Sequence, residues 1–100
     1  MSAGEVVWAV TLCLFGFGLA ALVLRRELLA MLLGLELMIA AVNVSLVYHA
    51  SLFSDVEGLS ASLLIIAVGA AEAVVGLSLI LKVRRDGRAP ETSALQEMKG

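Results

Sequence analysis

The chain has 100 residues, of which 61% are hydrophobic and 16% charged, and its mean hydropathy is +1.03. A soluble fold this short leaves much of its chain in contact with water and needs one polar face per helix, so this composition excludes a soluble helical bundle. The net charge of −2 gives no footing for a nucleic-acid partner, and the one cysteine, Cys13, builds neither a disulfide framework nor a metal cluster.

Residues 6–24 run without a charge and form the first predicted membrane span. The N-terminal flank holds Glu5 and no Lys or Arg, whereas a cleaved signal peptide begins with a basic region. Cys13 reads here as a small buried apolar residue. Arg25, Arg26 and Glu27 interrupt the run. The second span covers residues 28–50 and contains one charge, Glu36, with Asn43 and Ser45 as lesser polar residues. The third covers residues 59–81, and Glu72 is its one charge. Each run is near or above the ~20 residues that cross a hydrocarbon core of ~30 Å as a helix. Barrel strands would be about half as long and would alternate in polarity. Residues 82–100 turn polar, and Gly87 and Pro90 discourage helix there. The predicted fold is therefore an all-α membrane protein, one domain over residues 1–100 with three transmembrane helices and a polar tail.

Basic residues set the orientation. Arg25 and Arg26 mark the first loop; Lys82, Arg84, Arg85 and Arg88 follow the third span; the loop between spans two and three holds Asp55 and Glu57. The N-terminus is expected outside, the first loop and the C-terminus in the cytoplasm. Trp8, Tyr48 and His49 then fall near the outer surface, as in an aromatic belt.

A carboxylate at the centre of a bilayer costs roughly 2.5–3.5 kcal/mol on insertion scales, and its default reading is a proton or ion site. Glu36 lies eight residues into its span, at a depth of about 12 Å. Glu72 lies nine residues before Leu81, at about 14 Å from the same side. Antiparallel packing of spans two and three puts both in nearly one plane. This chain supplies no cation at that depth, so either the glutamates carry a proton much of the time or a partner subunit provides a positive charge. Gly69 and Gly76, at i−3 and i+4 from Glu72, favour a face covered by protein or a hydrated crevice, though they also fit packing alone. Asn43 follows Glu36 by two helical turns and shares its side of the helix. Its amide either bonds a file of water leading from Glu36 or caps a contact between helices. Ser45 and Ser78 fall on other faces, where each can bond a carbonyl of its own helix.

These residues carry a resemblance over essentially the whole chain. Arg25-Arg26 before the second span, Leu33-Gly34-Leu35-Glu36-Leu37-Met38, Asn43 with Ser45, Ala70-Ala71-Glu72-Ala73 with Gly76 and Leu77, and the ending Glu97-Met98-Lys99-Gly100 are similar to one family. The chain resembles the small three-helix subunit, of K or 4L type, of proton-pumping NADH:quinone oxidoreductase, respiratory complex I. Glu27 departs mildly from it, since many relatives have a neutral polar residue there.

The resemblance implies a non-redox subunit in the membrane arm of a translocase, between quinone-proximal and antiporter-like subunits, in a bacterial plasma (inner) membrane. It implies that Glu36 and Glu72 belong to a proton relay coupled to quinone reduction; Asn43 from its place on the Glu36 side, and Arg25 and Arg26 through a partner or lipid phosphates, are candidate supporting residues. It further implies that this chain binds no cofactor or metal, and that flavin, iron–sulfur clusters and quinone reside on partner subunits. The alternatives are the equivalent subunit of a membrane-bound hydrogenase or another electron-donor variant, and a purely architectural membrane subunit. Small multidrug transporters usually have four spans with the key glutamate in the first. Rotary ATP synthase proteolipids commonly have two spans and one carboxylate. Cation/proton antiporter versions of this subunit generally lack the two membrane glutamates.

Overall fold

The computed structural model describes residues 1–87 together with residues 91, 92 and 96. The closing residues 97–100 lie outside the described residues, as does most of the expected polar tail.

Three long helices are formed by the described residues: α1 (Ala3–Leu24), α2 (Leu28–Leu52) and α3 (Val56–Arg85). Ser2 starts α1, its hydroxyl accepting from the Glu5 N–H at 3.2 Å, which satisfies one of the free donors of the first turn. The link Arg25–Glu27 is extended, and an isolated antiparallel bridge brings Glu91 back to Glu27. α2 ends in a tight reversal. Ser54 turns left-handed at φ 51°, and the Asp55 N–H reaches the Ala50 carbonyl at 2.8 Å, satisfying an end carbonyl of the helix. α3 closes with Lys82, Arg84 and Arg85 in its last turn, where cations complement the helix dipole, and stops before Gly87 at φ 76°.

All three helices are long and apolar enough to cross a membrane. At 30 residues α3 is about 45 Å long, well beyond a hydrocarbon core of about 30 Å. It begins three residues before the apolar run and continues through Lys82–Arg85, which the composition assigned to the tail. Charges end the apolar run without ending the helix, because backbone hydrogen bonding continues into the interfacial layer.

α2 is the central element: α1 and α3 pack on it rather than on each other. The result is a flat body of 50 × 26 × 18 Å. On the α1 side the backbones touch at Gly18 and Gly34. A Cβ added to Gly34 would meet the Gly18 carbonyl oxygen at 2.6 Å, and a Cβ on Gly18 would collide with the Gly34 carbonyl oxygen. Such close approach lets dispersion and weak backbone contacts bind helices where lipid removes the hydrophobic incentive. Ala41 is fully buried beyond this crossing. Val83 is the one large side chain among the described residues that this fold buries completely.

Cys13 departs from expectation. It is exposed on α1, because that helix turns Thr11 and Gly18 toward α2 and leaves Cys13 facing away.

Candidate carboxylate site

The register of α2 against α3 sets the site. Leu32 lies against Gly76, Ile39 against Gly69, and Ala50 against Gly58. Each step forward along α2 thus matches a step backward along α3. Glu36, four residues after Leu32, is therefore level with Glu72, four residues before Gly76. Each carboxylate lines a groove at this interface. One is formed by Glu36, Ile39, Ala40 and Asn43 with Ile65, Ile66, Gly69 and Ala70. The other runs along Ile39, Leu64, Ile65, Val68 and Gly69 to Glu72. Ile39, Ile65 and Gly69 belong to both, so the two grooves adjoin.

The two acids sit in unlike surroundings. Glu36 is half-buried: its Oε1 is shielded from solvent and has no hydrogen-bond partner among the described residues. Its Oε2 reaches one turn along α3, 3.7 Å from where a Gly69 Cβ would stand. Glu72 is exposed at the edge of the helix pair. Within the subunit, the expected cover of protein or a hydrated crevice is met for the flanking glycines and not for Glu72 itself. Gly69 is buried against Glu36 and Ile39, and Gly76 packs on Leu32, so the small-residue stripe is spent on α2. Glu72 borders that stripe and opens away from the subunit.

Asn43 lines the Glu36 groove, and its Oδ1 is likewise shielded and without a partner. Arg25 and Arg26 are exposed at the α1–α2 link and line neither groove. The structure thus gathers Glu36, Asn43 and Glu72 along one interface and leaves the two arginines at the end of the bundle. At the other end, the His49 ring stands edge-on to Trp8 and Tyr48, with centroids 5.7 and 5.3 Å away. His49 Nδ1 is 2.7 Å from the Ser45 carbonyl and 3.4 Å from the Ser45 hydroxyl. The Ser78 hydroxyl donates to the Val74 carbonyl at 2.8 Å. Sequence reasoning did not single out Thr11, whose hydroxyl is buried and unpaired, or the Gly18–Gly34 crossing. A polar residue and two glycines in a charge-free run were the available signal for both.

Comparison with known proteins follows the same residues. The family described as NADH-ubiquinone/plastoquinone oxidoreductase chain 4L matches residues 6–100. The NADH-quinone oxidoreductase subunit K 2 of Aquifex aeolicus (strain VF5) is 38% identical over 96 residues, spanning 96% of this chain and 94% of that one. With three membrane-length helices and a match over nearly its whole length, the chain belongs to the chain 4L family and is a multi-pass membrane subunit of an NADH-quinone oxidoreductase.

Proposed function

We propose that Glu36 and Glu72 relay protons within the membrane arm of this complex, so that translocation is driven by quinone reduction on other subunits. The observation that carries the reading is the pair itself: two carboxyl groups level on adjacent helices, on adjoining grooves, one with a buried oxygen that nothing among the described residues satisfies. A buried carboxyl oxygen without a partner needs a hydrogen on it or beside it, which a bound proton or a water supplies. Glu36 serves as the enclosed site. Glu72, facing outward, exchanges with it through water in the adjoining grooves and hands on to a residue of a neighbouring subunit.

The partners are other subunits of the complex, the quinone-proximal and antiporter-like ones in this proposal, which cover the open Glu72 edge. Flavin, iron–sulfur clusters and quinone belong to them, and this chain acts as a non-redox element of the translocase. Arg25, Arg26 and the basic end of α3 support an orientation with the α1–α2 link and the C-terminus in the cytoplasm of a bacterium and the N-terminus outside. The arginines support the assembly there through lipid phosphates or acidic neighbours rather than through the grooves.

Replacing Glu36 by Gln keeps shape and much hydrogen bonding but removes proton exchange. Glu36→Gln is expected to cut quinone reductase rate and coupled proton uptake severely in complexes that assemble normally on native gels. Full activity in such complexes would overturn the relay role of Glu36.

A further inference from the structure

Glu36 Oε1 and Asn43 Oδ1 are two shielded, unpaired oxygens on one groove. A buried polar atom left without a partner is costly, so each calls for a donor. The intervening walls supply none from side chains: they are Ile39 and Ala40 of α2, and Ile65, Ile66, Gly69 and Ala70 of α3. The two residues are seven apart, about 10 Å along one helix face, which is too far for a direct bond and suits a file of about three waters. The groove, at 220 Å³, is roomy enough for such a file. Asn43 also lines a second groove of 460 Å³, with Val7, Val44, Val47, Tyr48 and Ser51. It is the one residue that these two grooves share. The second groove leads to the end of the bundle where the Tyr48 hydroxyl lies 3.2 Å from a Cβ placed on Gly4.

We infer that Asn43 is a positioning residue that holds a water file between Glu36 and the Tyr48–Ser51 end, the outer side in the orientation proposed above. The inference rests on the relay role of Glu36 and extends it by a direction. An amide does not itself take up or release protons at neutral pH. Its Oδ1 accepts from one water while its Nδ2 donates to another, which keeps the file continuous where the two grooves meet. When the Glu36 carboxyl gives its proton to the first water, a proton leaves the last water at the far end. Each water along the file accepts one proton and passes on another, breaking and forming one O–H bond. The waters at Asn43 bond directly to each other, while the amide only anchors them. The net change is one proton moved, with a carboxylate left at Glu36 to be reloaded from the Glu72 side.

The test uses the whole complex in vesicles, with Asn43→Leu, Asn43→Ser and Glu36→Gln compared at equal assembly. A water file predicts that Asn43→Leu lowers proton translocation about tenfold, the effect of one buried polar group left unpaired. Asn43→Ser retains most of it, because a hydroxyl both donates and accepts and leaves room for water. A purely packing role predicts the reverse order, with Leu better tolerated than Ser. The second measurement needs no turnover. In a Cys13→Ser background, Ala40→Cys is expected to react with a small hydrophilic thiol reagent added from outside, and about tenfold more slowly with Asn43→Leu present. Asn43→Leu equal to or better than Asn43→Ser, or an Ala40→Cys that never reacts from outside, would overturn the inference, the thiol result deciding if Asn43→Leu does not assemble. Full pumping in Glu36→Gln would instead remove the relay on which it rests, whatever the thiol result.

Discussion

Glu36 and Glu72 share a level on the α2–α3 interface and differ in what touches them. Glu36 reaches into a groove with one oxygen shielded, while Glu72 lies exposed at the margin. The difference predicts unequal tolerance. Glu36→Asp keeps the proton site but shortens its reach by one methylene, so quinone reductase rate is expected to fall partway between wild type and Glu36→Gln. Glu72→Gln should impair less than Glu36→Gln if water or a neighbouring acid at the open edge takes over, measured as proton uptake at matched assembly. A different residue governs the reversal between α2 and α3. Ser54 holds φ 51°, which costs an L-residue about 1 kcal/mol and a β-branched one more. Ser54→Val should therefore loosen the Asp55–Ala50 hydrogen bond and speed amide exchange at Asp55, whereas Ser54→Gly should not.

At the scale of elements, the two interfaces of α2 work differently. Against α1 the backbones meet at Gly18 and Gly34, where a Cβ on either would strike the other's carbonyl oxygen. Gly34→Ala is expected to push the helices apart at a cost of about 1–3 kcal/mol and to lower the yield of assembled complex on native gels. Against α3 the contact is looser at Gly69, where an added methyl would stand 3.7 Å from Glu36 Oε2 and 3.9 Å from Ile39. Gly69→Ala should assemble normally. The three helices themselves were legible in the sequence, because unbroken apolar runs near or above twenty residues admit no other spanning structure. Counting in from one side also anticipated that Glu36 and Glu72 lie level. What could not be read was which face each helix turns to its neighbour. The runs are apolar all round, so no stripe distinguishes Gly34 from Gly16 or predicts that Cys13 faces away. For the same reason the sequence could not tell that Gly69 and Gly76 pack on α2 while Glu72 beside them opens outward. The ends of α3 were hidden because hydropathy reports where lipid stops, and the helix continues past that point.

At the scale of the whole molecule, the three long helices form a flat layer with broad apolar faces uncovered. Phe17, Leu63, Val74 and Val75 are each more than half exposed. Lipid or neighbouring subunits must cover them, and the charged margin at Glu72 requires a subunit rather than lipid. The proposed orientation can be checked in a variant lacking Cys13. A cysteine at position 57 is expected to label from outside, and one at position 86 from the cytoplasm; the opposite pattern would reverse the topology. The central claim is that this carboxyl pair moves protons rather than merely docking the subunit. Its most direct test is proton uptake driven by NADH in vesicles carrying the Glu36→Gln/Glu72→Gln double variant, with assembly verified on native gels. The account predicts that the assembled double variant loses nearly all coupled pumping and quinone reduction. Pumping at the wild-type rate would contradict it and leave the glutamates as structural contacts.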